Sequence, residues 1–164
     1  MRILGIDPGL KLTGYGVIDW QRSRPALIDA GVIRLKATTA LADRLVELEC
    51  ELDALLDEHK PDVCAVEQLY AHYRHPRTAM LMGHARGVIL LAARRRGVRV
   101  EQFAANLIKQ SLTGHGHAGK AQMQRAVQTQ WRLPRPPDPP DVADALAVAF
   151  CCGMYLERVR SAEC

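Results

Sequence analysis

Three mostly apolar segments near the start of the chain are bounded by turn-forming residues, a pattern typical of β-strands. The predicted strands cover Arg2–Asp7, Gly14–Trp20 and roughly Ala26–Leu35. Turn-forming residues separate them, first Pro8-Gly9 and then Ser23-Arg24-Pro25. Because connections this short join antiparallel neighbours, the first part of the chain is predicted to form a three-stranded meander.

The pattern then changes to a helical period. Leucines recur three and four positions apart over Leu41–His59, which predicts a helix with Thr39 as its candidate cap. The short apolar run Val63–Val66 ends in Glu67 and indicates a buried strand. The later predicted elements are a helix over Arg77–Arg96, a strand over Val98–Phe103, helices over Ala104–Leu112 and Lys120–Arg132, a proline-rich break over Pro134–Pro140, and a last helix over Asp141–Arg158.

A meander followed by alternating strands and helices predicts an α/β fold. We expect a five-stranded mixed sheet, flanked by helices, in which parallel strands follow the antiparallel meander. The chain has 164 residues and 48% hydrophobic content, which fits one globular domain. That domain is predicted to cover residues 1–158, with a short C-terminal tail over 159–164.

Charge and cysteine content narrow the class of protein. The net charge of +4 is compatible with nucleic-acid binding but does not require it. Arginine outnumbers lysine, which suits phosphate contacts, although genomic bias explains it equally well. The five cysteines lack C-x-x-C spacing and indicate reduced thiols rather than disulfides or a zinc site. With no signal-peptide pattern, and with Gly87–Ala93 as an apolar run too short to span a bilayer, we expect a cytoplasmic protein.

Carboxylates occur at three related positions. Asp7 ends the first predicted strand and Glu67 ends the fourth, while Asp141 and Asp144 share one face of the first turn of the last helix. If the first and fourth strands are parallel neighbours, Asp7 and Glu67 lie side by side at the carboxyl end of the sheet. Open α/β sheets usually bind ligands in the crevice at that end.

Four carboxylates cannot crowd together as bare anions. Divalent cations relieve the repulsion, and all-oxygen ligation favours Mg²⁺ or Mn²⁺. Two such ions, roughly 3.5–4 Å apart, can activate a water and stabilise the leaving oxygen in phosphodiester hydrolysis. Structural interpretations stay open for three acids: Asp7 also fits the start of a turn, and Asp141 with Asp144 fits a helix cap. Glu67 has the weakest structural alternative, because a glutamate is an unusual end for an apolar strand.

Five segments, taken in order along the chain, form a recognisable set: Gly5–Gly9 continued by Thr13–Ile18, Ala65–Tyr70, Ala85–Gly87, Ile108–Gln110 and Asp141–Ala147. In these segments the chain resembles the RuvC family of Holliday-junction resolvases. The resemblance covers nearly the whole chain with similar spacing, and it is therefore more specific than any one motif.

The resemblance implies a ribonuclease-H-like fold, a homodimer and a Mg²⁺-dependent endonuclease with two ions per active site, for which Mn²⁺ would substitute. The implied activity is the resolution of four-way junctions in homologous recombination and DNA repair. Symmetric paired nicks would leave 5′-phosphate and 3′-hydroxyl ends. The resemblance further implies RuvA and RuvB, the branch-migration proteins, as partners.

The resemblance assigns catalysis and metal binding to Asp7, Glu67, Asp141 and Asp144. As a hypothesis, Glu67 and Asp7 would hold one ion, while Asp7, Asp141 and Asp144 would hold the other.

The resemblance also implies DNA-binding residues, each of which fits an ordinary surface or rim position as well. Tyr70 occupies the slot of an aromatic that stacks on a base near the junction centre. Lys109 and Lys120 would neutralise the scissile phosphate and its neighbours. Arg74 and Arg77 follow Tyr70 and are weaker candidates for DNA contacts.

The loop before Lys120 departs from the family pattern. His117-Ala118-Gly119 stands where a more polar residue, often an acidic one, usually precedes the lysine. The departure affects the expected loop geometry, and the sequence leaves the roles of His115 and His117 open.

Small residues give two further expectations. The helix segment Met80–Leu91 contains Gly83, Ala85 and Gly87, so it could form the interface of a dimer; packing against its own sheet explains the same pattern. The glycines that follow Asp7 are expected to let a DNA backbone approach that acid.

Two alternative functions are compatible with parts of the sequence. An actin-like or sugar-kinase-type ATPase opens with a similar strand, acid and glycine loop, but it would need a second lobe and a second phosphate loop. A non-catalytic junction-binding protein would not need four placed acids.

Overall fold

The computed structural model describes residues 1–21, 24–69 and 76–162, without the side chains of residues 76 and 77. The described strands are β1 (Arg2–Asp7), β2 (Leu12–Gln21), β3 (Arg24–Arg34), β4 (Val63–Glu67) and β5 (Arg99–Phe103). The described helices are α1 (Leu41–His59), α2 (Pro76–Arg95), α3 (Ala105–Thr113), α4 (Lys120–Trp131) and α5 (Pro140–Ala162).

The strands form one mixed sheet in the order β3-β2-β1-β4-β5. Strands β1, β2 and β3 pair antiparallel, which confirms the predicted meander. Strand β4 pairs parallel with β1, and β5 pairs parallel with β4. The register sets Ile6 opposite Val66, so the next residues of the two strands, Asp7 and Glu67, lie at neighbouring positions on the carboxyl edge.

Helices cover both faces of the sheet. On one face, α5 packs against β1 and β2 and is joined by α3 and α4, and their apolar side chains form one buried cluster. On the other face, α1 and α2 form a second cluster with the opposite side chains of the strands. Helix α5 is the central helix, because its residues from Val142 to Cys152 are buried except Asp144.

Glycines in β1 and β2 let α5 approach the sheet closely. A Cβ atom placed on Gly14 would lie 2.1 Å from the carbonyl oxygen of Asp141, and one on Gly5 would lie 2.3 Å from that of Ala145. A Cβ atom on Gly16 would lie 2.6 Å from the Leu146 side chain. The expectation that Gly14 and Gly16 leave room for a DNA backbone is therefore wrong, because α5 fills that space.

Two helix ends differ from the sequence predictions. Thr39 does not cap α1: Ala40 is the cap residue, and the Thr39 hydroxyl donates to the Lys36 carbonyl at 2.8 Å. Helix α5 continues to Ala162, so residues 159–162 of the predicted tail belong to the helix. Its last turns are anchored from the sheet, since the Trp20 indole donates to the Glu157 carboxylate at 3.2 Å.

Candidate active site

The four predicted carboxylates belong to elements that meet at one edge of the sheet. Asp7 and Glu67 occupy neighbouring strand ends, as the parallel β1–β4 pairing requires. Gly14 pairs with Asp7 across β1 and β2, and the same glycine lies directly under the backbone of Asp141. The start of α5 is thus held over the end of β1, which brings its two aspartates to the edge where Asp7 and Glu67 lie.

Burial and mutual repulsion raise the pKa values of three of these acids. Desolvation raises the pKa of Asp7 well above its usual range, and the negative charges of Asp144, Glu67 and Asp141 raise it further. Desolvation and then Asp144 raise the pKa of Glu67. Desolvation is also the largest cause of the raised pKa of Asp144. The shifts show that the carboxylates are close enough to repel one another in the folded protein.

Two lysines oppose this negative charge. Lys120 lowers the pKa values of Asp7 and Asp144, and Lys109 lowers those of Glu67 and Asp144. Lys109 lies on α3 and Lys120 is the first residue of α4. The side chains of Glu67, Asp144 and both lysines line one cavity of about 180 Å³. The structure therefore brings both predicted lysines to the candidate site.

None of the four carboxylates accepts a hydrogen bond or forms an ion pair with the part of the chain that the structure describes. The turn after Asp7 is held by Thr13 instead, whose hydroxyl donates to the Gly9 carbonyl at 2.6 Å. Likewise, Asp141 and Asp144 do not cap α5. The structural interpretations of these three acids as turn or cap residues thus lack the contacts they would need.

The donor set of the site is suited to a hard divalent cation, because every candidate ligand is a carboxylate oxygen that has no hydrogen-bond or ion-pair partner among the described residues. Over the described ranges, no group of three or more His, Cys, Asp and Glu side chains is arranged to hold a metal ion. Mg²⁺ does not require such a cage, since it is commonly bound through one or two carboxylates together with waters and substrate phosphates. The residues are therefore chemically suited to a divalent cation whose remaining ligands come from water and substrate.

Other predicted residues are placed less completely. Tyr70 and Arg74 lie outside the described residues, and Arg77 belongs to α2 but its side chain is not described. His115 and His117 are exposed in the loop between α3 and α4. Their positions do not give either histidine a role in the site.

Sequence reasoning assigned no role to Arg86, although the residue lies within one of the quoted motifs. Its guanidinium Nε donates to the backbone carbonyl of Glu67 at 3.1 Å. The available signal was a charged residue at Arg86 between the small residues Ala85 and Gly87 of a largely apolar helix segment.

Comparison with known proteins identifies the family. The family model for crossover junction endodeoxyribonuclease RuvC matches residues 3–152. The chain belongs to the RuvC family. A RuvC of Rhodopirellula baltica is 49% identical over 154 residues, covering 94% of this chain and 86% of that one. A RuvC of Heliobacterium modesticaldum is 44% identical over 156 residues, covering 95% and 96%.

Solved RuvC structures share the fold. The Thermus thermophilus RuvC structure matches with a TM-score of 0.86 at 30% identity over 96% of each chain. The same protein in complex with a Holliday junction substrate matches with a TM-score of 0.89 at 31% identity, also over 96% of each chain. The predicted ribonuclease-H-like fold with a five-stranded mixed sheet is thereby confirmed.

The RuvC family match also bears on the alternatives. The model that matches residues 3–152 describes an endodeoxyribonuclease family. It therefore does not favour the alternative function of an ATPase or that of a non-catalytic DNA-binding protein. No helix among residues 1–21, 24–69 and 76–162 combines the length and apolar character needed to cross a membrane.

Proposed function

We propose that this RuvC-family chain resolves Holliday junctions by symmetric paired nicks in recombination and DNA repair. The observation that carries the proposal is the group of half-buried carboxylates at the carboxyl edge of the sheet, which have no hydrogen-bond or ion-pair partner within residues 1–21, 24–69 and 76–162, in a chain whose relatives are named crossover junction endodeoxyribonucleases. A similar structure with a TM-score of 0.89 is a RuvC in complex with a Holliday junction substrate.

In this proposal Asp7, Glu67, Asp141 and Asp144 are the metal ligands. Without a bound metal their negative charges repel one another, so binding of cations at this site is favoured. When bound, two Mg²⁺ ions would activate the attacking water and stabilise the leaving oxygen, giving 5′-phosphate and 3′-hydroxyl ends. Mn²⁺ would substitute, because it accepts the same oxygen ligands.

Lys109 and Lys120 would bind the scissile phosphate. Both lysines lie beside the acids, in the cavity of about 180 Å³ that Glu67 and Asp144 also line. A phosphate that enters this cavity would meet two positive charges, and positive charge at that position stabilises a developing oxyanion. Tyr70, Arg74 and Arg77 complete the proposed DNA surface as predictions from the sequence.

We propose that the active enzyme is a homodimer, because a four-way junction presents two equivalent strands to be cut. Helix α2 supports a two-fold interface. Met80 and Leu91 are 61% and 48% exposed, and a Cβ atom added to Gly87 would meet no atom within 4 Å. Ala85 and Ile89 are buried against the chain's own core. A dimer interface thus accounts for the exposed face of α2, and packing against the chain's own sheet accounts for its buried face.

The remaining assignments rest on family membership. RuvA and RuvB would supply the branch migration that presents the junction to the enzyme. The protein would act in the cytoplasm. Both statements stay predictions.

Cleavage of a synthetic four-way junction tests the proposal. With Mg²⁺, we expect two nicks at symmetric positions in opposing strands, with ligatable ends. Glu67→Gln and Asp144→Asn should bind the junction in EDTA as the unaltered chain does, but should cut it at least about 100-fold more slowly.

Asp138→Asn is the matched control. Asp138 is exposed in the loop before α5, so the same chemical change there should leave cleavage unchanged. ATP hydrolysis in the absence of DNA, or normal cleavage by Glu67→Gln in Mg²⁺, would contradict the proposed function.

A further inference from the structure

Arg86 links helix α2 to the strand end that carries Glu67. The guanidinium Nε donates to the Glu67 backbone carbonyl at 3.1 Å, and Nη2 of the same group donates to the Gln102 side-chain oxygen. Glu67 is the last residue of β4, and Gln102 is the last but one of β5. A single side chain on the helix therefore fastens two strand ends at the edge of the candidate active site.

Neighbouring contacts extend this link into the following loop. The Gln68 backbone N–H donates to the Phe103 carbonyl at 2.8 Å, and the Gln68 side chain donates to the Gln102 carbonyl at 3.4 Å. The residue after Glu67 is thus tied to β5, and β5 is tied to Arg86. These contacts fix the position of Gln68, the residue that follows Glu67.

We propose that Arg86 is a positioning residue that holds the Glu67 carboxylate in its metal-binding orientation and couples that orientation to α2. The inference rests on the proposed function of Glu67 as a metal ligand. Arg86 contacts the backbone of Glu67 and not its carboxylate, so it acts on geometry. A guanidinium suits this role because its planar fork reaches two acceptors at once, which the single ammonium of a lysine matches poorly.

The link also has a location that suits coupling. Arg86 lies between the buried Ala85 and the exposed Gly87, at the boundary between the inner and outer faces of α2. A displacement of α2 would move the guanidinium, and the guanidinium would pull on the Glu67 carbonyl. Arg86 is thus placed to report the position of α2 to the active site.

Arg86→Gln and Arg86→Lys, each compared with Arg94→Gln, test the proposal. Arg94 is exposed on the same helix and also donates to a backbone carbonyl, that of Val98 at 3.2 Å, so its variant controls for the loss of one such bond. Three quantities are measured for each variant: junction affinity in EDTA, the single-turnover cleavage rate, and the Mg²⁺ concentration that gives half of the Mg²⁺-induced rise in Tm.

For Arg86→Gln we expect junction affinity within about twofold of the unaltered chain, with cleavage slower by roughly 10–100-fold, the range found when outer-shell partners of metal ligands are removed. The Mg²⁺ concentration for half of the Tm rise should increase several-fold. Arg86→Lys should be intermediate, which keeps the test valid if the glutamine variant folds poorly. Arg94→Gln should match the unaltered chain in all three measurements.

Equal cleavage and equal Mg²⁺ dependence in Arg86→Gln and the unaltered chain would overturn the proposal. Loss of junction affinity with an unchanged cleavage rate would also overturn it, by making Arg86 a DNA contact. Absence of cleavage by the unaltered chain would instead count against the proposed function. In that case the Mg²⁺ dependence of Tm still decides whether Arg86 orients Glu67.

Discussion

At the scale of single residues, the acids of the candidate site are held in an unfavourable charge state. Asp7, Glu67 and Asp144 all have raised pKa values, for which desolvation is the largest cause and a neighbouring carboxylate contributes to each. The fold therefore works against these charges unless a cation or a proton compensates them. This cost is expected at a site whose function requires concentrated negative charge.

Asp7→Asn should stabilise the metal-free protein at pH 8. A carboxyl whose folded pKa is raised binds its proton more tightly in the folded state, so its contribution is fully present below the unfolded pKa and is lost as pH rises through the folded pKa. Asparagine cannot ionise and avoids that loss. We expect a gain in the free energy of unfolding at pH 8, and little gain at pH 4.

Thermal unfolding in EDTA at both pH values measures this effect. Asp138 is exposed, so Asp138→Asn should show no comparable pH-dependent difference in Tm. Added Mg²⁺ should raise the Tm of the unaltered chain more than that of Asp7→Asn. A variant that is destabilised equally at both pH values would show that Asp7 serves folding rather than cation binding.

The four acids could be proposed from the sequence because they interrupt or terminate apolar patterns, and patterns are local. The role of Arg86 could not, since its acceptor is a backbone carbonyl 19 positions away and any residue type supplies one. The role of Gly14 was misjudged for a similar reason. A glycine shows that space is needed, but only the tertiary structure shows that α5 occupies it.

At the scale of elements, the geometry of the candidate active site depends on how closely α5 approaches the sheet. The helix was predicted after the proline-rich break, and the antiparallel meander was predicted from short turns. The parallel pairing of β1 with β4 joins residues about 60 positions apart. The sequence pattern could not predict this pairing, which was therefore only assumed in placing Asp7 beside Glu67. That pairing and the close approach of α5 are what bring together acids from the beginning and the end of the chain.

Gly14→Ala should disrupt this approach. Its Cβ would lie 2.1 Å from the Asp141 carbonyl oxygen, an atom that cannot move without moving the start of α5. We expect a loss of about 3 kcal/mol in the free energy of unfolding, typical of severe overpacking, and a Tm lower by roughly 6–12 °C. Junction cleavage by the fraction that remains folded should also fall, because Asp141 and Asp144 are displaced from Asp7.

Gly87→Ala provides the comparison for this prediction. A Cβ at Gly87 meets no atom of its own protomer within 4 Å, and alanine favours the helix, so the free energy of unfolding of the monomer should change by no more than about 1 kcal/mol, and upwards. Circular dichroism and calorimetry measure both variants. A Gly14→Ala protein with unchanged Tm and normal cleavage would show that α5 is not held at this distance.

At the scale of the whole molecule, the sheet lies between the candidate active site and the proposed dimer interface. Its α5 side carries Asp141, Asp144 and both lysines of the candidate site, whereas α2, with its exposed apolar residues, packs on the opposite side. Association through α2 would therefore leave the α5 side of each protomer free. A two-fold pair arranged in this way could present two active edges to one four-way junction.

Leu91→Glu should dissociate the proposed dimer. Leu91 is 48% exposed on α2, and a two-fold interface would bury it twice. Leu91 is already about half buried in the single chain, so dissociation exposes roughly half of each of two leucines. That loss costs about 1.5–3 kcal/mol, and the dimer Kd should rise at least about 10-fold. Ile28→Glu is the control, because Ile28 is 44% exposed but lies on β3, at the sheet edge opposite β5. Light scattering after size-exclusion chromatography should show a monomer for Leu91→Glu only.

On a supercoiled plasmid that extrudes a four-way junction, paired cuts give linear DNA, whereas independent cuts give mainly nicked circles. We therefore expect Leu91→Glu to shift the product from linear DNA to nicked circles at equal protein concentration. If Leu91→Glu remains dimeric and still yields linear DNA, the two-fold interface lies elsewhere on the molecule.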